Sequence, residues 1–165
     1  GRELELTIEG LQKYYKEFPD VELCESNHGI RIFKKAYASG LPKSVIRRYE
    51  EIFKHPKGWT YHSDGITLDG TLLIHGDSFN GASWRLAHQK LKQSVCHGHV
   101  HSNAGVIYSK TRKFRHYVMN CGALVDPNDQ AFAYGKHHIE KPVLGAGIII
   151  DGEYAQFIPF PSKWL

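Results

Sequence analysis

The sequence predicts an α/β chain, and three observations carry that expectation. Two segments in the first third place apolar residues at helical spacing, short β-rich runs begin at Trp59, and beyond Ser94 the chain is almost wholly strand-like. Turn signals such as Ser63-Asp64-Gly65 and Asp69-Gly70 separate the runs at intervals that suit short strands.

Leu11, Tyr14, Tyr15 and Phe18 share one face of an opening amphipathic helix that Pro19-Asp20 stops. Val21 to Cys24 follows as a short strand, then Asn27-His28-Gly29 and a basic stretch through Lys35. Pro42-Lys43-Ser44 opens a second expected helix, with Val45, Ile46, Tyr49, Ile52 and Phe53 on one face. Trp59 to Tyr61, Ile66 to Leu68 and Thr71 to Ile74 make a small meander. A further helix is expected over residues 82–91. Strands are expected at 95–96, 105–108, 117–120, 131–134, 147–150 and 154–158, with Lys110 to Lys113 turning between two of them.

With 165 residues, 41% apolar and 23% charged, the chain can bury one core, and no repeat or long linker divides it, so one domain spanning residues 1–165 is expected. The formal charge of +4 tolerates a phosphate-bearing substrate but falls short of a dedicated nucleic-acid binder. Cys24, Cys96 and Cys121 show no C-x-x-C spacing and have apolar neighbours, which points to buried free thiols and a reducing compartment. No stretch approaches the roughly 20 apolar residues of a membrane span, and Gly1 to Glu5 lacks the apolar core of a signal peptide, so a cytoplasmic protein with no membrane partner is expected.

Eleven histidines are many for this length, and their placement points to chemistry. His75 ends an apolar strand, and His99 and His101 flank Val100 just after another. Strand ends are where α/β folds place their sites, and residues two apart in an extended segment point the same way. Imidazoles with oxygen donors suit a hydrolytic divalent metal that polarises a phosphoryl oxygen and acidifies water. A lone His-x-His is more often a surface turn, and the ordered series around it is what shifts the weight.

That series is Ser26-Asn27-His28-Gly29, Leu72-Leu73-Ile74-His75-Gly76-Asp77, Gly98-His99-Val100-His101 and Asn120-Cys121-Gly122-Ala123. It resembles the calcineurin-like metallophosphoesterase superfamily, whose members carry Gly-Asn-His-Asp/Glu, His-Gly, Gly-His-x-His and Asn-x-Gly in this order. The style of residues 120–134 is similar to phage and prophage members. The resemblance implies Asn27, His75 and His99 as ligands of one metal, His101 as a ligand of a second, and His28 as the acid beside the leaving group. The metals are expected to be Mn2+, with Zn2+, Fe2+ and Ni2+ as alternatives, and the family clamps phosphate between two of them about 3.5 to 4 Å apart.

The family's Asp-x-His strand and bridging Gly-Asp precede its Asn-His motif, and nothing before Asn27 matches either. Gly76-Asp77 lies downstream and reads as the loop after a strand. Since Gly1 is not a methionine, the chain is expected to be the C-terminal portion of a metallophosphoesterase domain. Its fold would be a partial two-sheet sandwich flanked by helices, lacking the N-terminal strands. Without those aspartates the donors are all neutral, so one ion or none is expected here rather than two.

The expected function is therefore hydrolysis of phosphate mono- or diesters by metal-activated water. The alternatives are a non-catalytic binding or assembly module derived from that fold, or a nuclease of the same superfamily. An upstream fragment or a second copy is the expected partner for an open sheet edge. Lys34, Lys35, Arg47, Arg48, Lys110, Arg112, Lys113 and Arg115 read first as solvated charge, and His62, His116, His137 and His138 as surface histidines.

Overall fold

The computed structural model describes residues 2–79, 81–125 and 139–161. The expected strand at 131–134, the turn-rich residues 126–129 and His137-His138 lie outside them. The chain is mixed α/β, and it divides into two compact units, Gly1–Asp64 and Gly65–Leu165.

The first unit opens with helix α1 (Arg2–Glu17) and strand β1 (Val21–Cys24), at the places the periodicity predicts. Strand β2 (Trp59–His62) lies parallel to β1, in register from Val21 opposite Trp59 to Cys24 opposite His62. A parallel pair needs a long crossover, and residues 25–58 supply it. Tyr15 donates its hydroxyl to the carbonyl of Phe53 at 3.0 Å, and the Trp59 indole N–H donates to that of Phe18 at 2.7 Å. Around these bonds Tyr15, Phe53, His55, Trp59 and Tyr61 form a ring cluster, with His55 stacked on Tyr61 at 5.4 Å and Tyr15 edge-on to Trp59 at 4.7 Å. Burial among these rings pushes the His55 pKa down.

The crossover departs from expectation in two places. Residues 30–38 form helix α2 (Ile30–Ala38), where only a basic stretch was expected. The helix expected from Pro42 is interrupted: a 3-10 turn (Lys43–Val45) gives way to extended backbone at Ile46 and Arg48 before the single-turn helix α3 (Tyr49–Ile52). Adjacent β-branched Val45 and Ile46 lose side-chain freedom in a helix, and Arg47 beside Arg48 adds nothing to hold one.

The second unit is built on a five-stranded sheet of order β3-β4-β5-β7-β6, comprising β3 (Ile66–Leu68), β4 (Thr71–Ile74), β5 (Ser94–His97), β6 (Gly105–Lys110) and β7 (Arg115–Asn120). The central strands β4, β5 and β7 run parallel, and β3 and β6 flank them antiparallel. Thr111 and Phe114 close the β6–β7 turn with a backbone bond of 2.7 Å, where Lys110 to Lys113 predicted it.

Central parallel strands are covered on both faces, and the alternation of side chains shows how. Val95 and Val118, partners across β5 and β7, point to one face and pack with Trp84, Ala87 and Val100. Trp84 and Ala87 belong to a 3-10 segment (Gly81–Leu86) that runs into helix α4 (Ala87–Leu91), a split form of the helix expected at 82–91. Cys96, Tyr117 and Met119 point the other way and pack with Ala155. Ala155 lies in a hairpin of β8 (Gly145–Ile150) and β9 (Tyr154–Pro159) that lies against β6 and β7. Tyr108 fastens that layer, its hydroxyl donating to the Ala155 carbonyl at 3.0 Å and accepting the Ala155 N–H at 2.7 Å.

Candidate functional site

The carboxyl ends of β4, β5 and β7 lie side by side, and each carries a residue that the sequence singled out. The ladder continues past the strands: Gly98 donates its N–H to His75 at 3.1 Å, and Cys121 donates to His97 at 2.9 Å. His75 and His99 are thereby brought to neighbouring strand ends, the edge that α/β sheets use for ligands.

His99 Nδ1 lies 3.1 Å from His75 Nε2, one ring donating and the other accepting, with the rings edge-on at 4.9 Å. Two nitrogens bound to one ion at about 2.0 to 2.1 Å would lie roughly 3.0 to 3.4 Å apart, so the observed spacing suits a shared ion. An ion would take the place of the proton between the rings.

His99 reaches this position at a cost to its backbone. Its φ is +64°, a region that side chains other than glycine rarely adopt, and Val100 donates back to Gly98 at 2.7 Å across it. A two-residue bond around a positive φ is a γ-turn of the strained kind. Gly76, after His75, has φ +94°, and a Cβ there would stand 2.9 Å from His97 Nδ1, so the His-Gly pair is a steric requirement of the neighbouring strand.

Asn120 holds the loop from the far side. Fully buried, it donates to the carbonyls of Val100 at 2.9 Å and Asn103 at 2.7 Å, and its Oδ1 accepts the Gly122 N–H at 3.1 Å. The Asn-x-Gly motif is thus a clamp on the histidine loop. His101 is half-buried in that loop, and its carbonyl accepts the Val143 N–H at 2.8 Å.

His97, which the sequence reasoning passed over, lies beneath. Its Nδ1–H donates to the Gly98 carbonyl at 2.7 Å, leaving Nε2 as the unprotonated nitrogen, buried with no hydrogen-bond partner among the described residues, and the ring packs against Phe79 and Trp84. Burial drives its pKa down to about 4, against a smaller upward pull from the Gly98 bond. The signal available was its position, the last residue of an all-buried strand.

Asn27 and His28 belong to the first unit, in the turn that leads into α2. Ser26 Oγ accepts the Gly29 N–H at 2.8 Å, and Tyr49 donates to the Gly29 carbonyl at 2.7 Å, so Ser26 caps the turn as N-cap serines do. Asn27 is half-buried and His28 exposed. Asp77 is exposed in the turn after β4, as its loop assignment predicts.

A cavity of about 470 Å3 in the first unit is walled by Phe33, Tyr37, Tyr49 and Tyr61, with Glu25 and Glu50 beside them, and none of the candidate ligands lines it. Burial, with the charges of Glu50 and Glu25, pushes the Tyr61 hydroxyl up to about 12. Of the basic candidates, Arg48 pairs with Glu50 at 2.9 Å and Arg115 with Glu153 at 3.1 Å, which leaves them poorly placed to wait for substrate.

Among the described residues no group of three or more His, Cys, Asp or Glu side chains is arranged to hold a metal. Protein sites for catalytic ions use about three ligands, so His75 and His99 fit two positions of an ion's shell and do not complete it. Comparison with family models, curated proteins and solved structures gives no match for this chain.

Proposed function

We propose that this chain belongs to a metal-dependent phosphoesterase of the calcineurin-like kind, hydrolysing phosphate mono- or diesters, with His75 and His99 as imidazole ligands of a divalent ion such as Mn2+. The observation that carries the reading is the 3.1 Å approach of two imidazole nitrogens at adjacent parallel strand ends. An ion held there would polarise a phosphoryl oxygen and acidify a water. The chain's own part is to hold the two rings in register, through the β4–β5 ladder and the Asn120 clamp, and to keep the loop backbone in its strained turn. His101 is the proposed ligand of a second ion. Asn27 and His28 carry the proposed oxygen-donor and acid roles. Carboxylates from a further segment or a second chain would supply the charge that these neutral donors lack. The mild positive charge also permits a nuclease.

A non-catalytic binding module is the second reading, and the lack of a third imidazole, thiol or carboxylate donor among the described residues favours it. Elemental mass spectrometry after manganese loading, beside hydrolysis of an aryl phosphate, separates the two. The enzyme reading expects bound metal and turnover, both lost in His99→Ala. Metal-free protein without turnover would leave the binding module.

A further inference from the structure

We propose that Cys96 and Cys121 form a dithiol site that takes a peroxide and closes to a Cys96–Cys121 disulfide. The inference stands apart from the phosphoesterase reading, since no step uses the histidines or a metal.

Cys96 lies in β5, and Cys121 directly follows β7. Their sulfurs stand 3.3 Å apart, closer than the roughly 3.5 to 4.0 Å of an ordinary packing contact. Two thiols meeting in a core usually mean packing alone. Three further features argue against that here. Cys121 is only half-buried, so an oxidant of two heavy atoms can reach the pair from its side. The hydrogen bond with the Cys96 thiol, helped by the Gly147 N–H that points at the Cys121 sulfur, favours the thiolate and holds the Cys121 pKa below the usual value despite burial. Gly147 can approach only because it has no side chain: a Cβ there would lie 2.9 Å from the Cys121 sulfur and 2.6 Å from Met119 Cε. Cys24, in the other unit, is also half-buried, but burial alone pushes its thiol up.

The chemistry balances with hydrogen peroxide as the only co-reactant. The Cys121 sulfur attacks one peroxide oxygen and the O–O bond breaks. Cys121 becomes a sulfenic acid, and the second oxygen leaves as water with the thiol proton. The Cys96 sulfur then attacks Cys121, the S–O bond breaks, and hydroxide leaves with the Cys96 proton as a second water. Two thiols lose two electrons, and the peroxide is reduced to two waters. Bond formation draws the sulfurs from 3.3 Å to about 2.05 Å. Cys96 immediately precedes His97-Gly98-His99, so the link ties the end of β5, which leads to His99, to the end of β7, which carries the Asn120 clamp.

The test uses the full chain, fully reduced, given one equivalent of hydrogen peroxide, then alkylated and mapped by mass spectrometry without reductant. The expected result is a Cys96–Cys121 linked peptide, Cys24 alkylated, and Cys121 thiol lost at least about ten-fold faster than Cys24 thiol. Dithiothreitol should restore all three thiols. In Cys96→Ser the Cys121 sulfenic acid should persist and be trapped by dimedone. Equal loss at the three cysteines, a link to Cys24 or between chains, or Cys121 driven to sulfinic acid in the wild type would overturn the proposal.

Discussion

Val95 and Val118, partners across two strands of the second unit, are wholly enclosed, whereas Tyr15 and Trp59, in the ring cluster of the first, remain partly open. The contrast is general: among the described residues, every buried one lies beyond Asp64. Composition separates them in part, with 21 charged residues among the first 64 and 17 among the remaining 101. Layering does the rest. A sheet with helix on one face and a hairpin on the other removes both sides of each central strand from water, worth about 1.5 to 3 kcal/mol for each enclosed aliphatic side chain. A two-stranded parallel sheet encloses little by itself, and Leu4, Leu6, Phe18 and Ile32 stay exposed in that unit.

The contrast can be broken most sharply at Asn120. Asn120→Ala removes three hydrogen bonds and leaves buried carbonyls unpaired, which should cost about 4 kcal/mol. Denaturant unfolding followed by circular dichroism measures it, and a loss under about 1 kcal/mol would mean that the loop does not depend on the clamp.

Acid should act next, and on the same unit. His97 is held neutral with a pKa near 4, and burial also lowers that of His88, whose Nε2 bonds Ser109 at 2.6 Å. An unfolded histidine takes up its proton near pH 6.5, so stability present above that value is lost as pH falls toward 4, roughly 3 kcal/mol from His97. Midpoints of unfolding between pH 7 and pH 4 should show this slope, and His97→Gln should flatten it.

The smallest effect belongs to the first unit. Tyr15→Phe loses one partly exposed hydrogen bond to Phe53 and should cost about 1 kcal/mol. Hydrogen exchange should quicken at residues 59–62 and stay unchanged at 94–97. Equal quickening in both would mean that the units open together.

Much of this was legible in the sequence because it depends on local pattern. The helical spacing from Leu11 to Phe18, the hairpin of β3 and β4 and the strand ends at His75 and His99 all follow from residues close in the chain, whereas the expected meander fails at Trp59 to Tyr61, because β2 pairs with the distant β1 in a separate sheet. Helix α2 was legible too, since Ile30, Phe33 and Tyr37 stand three and seven residues apart, but the intervening lysines obscured the face. The 3.1 Å meeting of the imidazoles depends on β4 pairing with β5, and the enclosure of His97 and the contact of Cys96 with Cys121 depend on β5 pairing with β7 across the intervening β6. Strand order of that kind comes from the whole sheet, and no spacing in the sequence encodes it.

The Asn120 clamp also sets an order of events in time. The loop it fastens, from Val100 to Asn103, is made some twenty residues earlier in the chain. During synthesis from the N-terminus, both histidines will have emerged while their loop still has nothing to hold it. Only when β7 has been made and has docked beside β5 can the γ-turn at His99 be held, so the candidate site matures after the strands that carry it. A chain stalled before Asn120 would carry both imidazoles and no fixed distance between them.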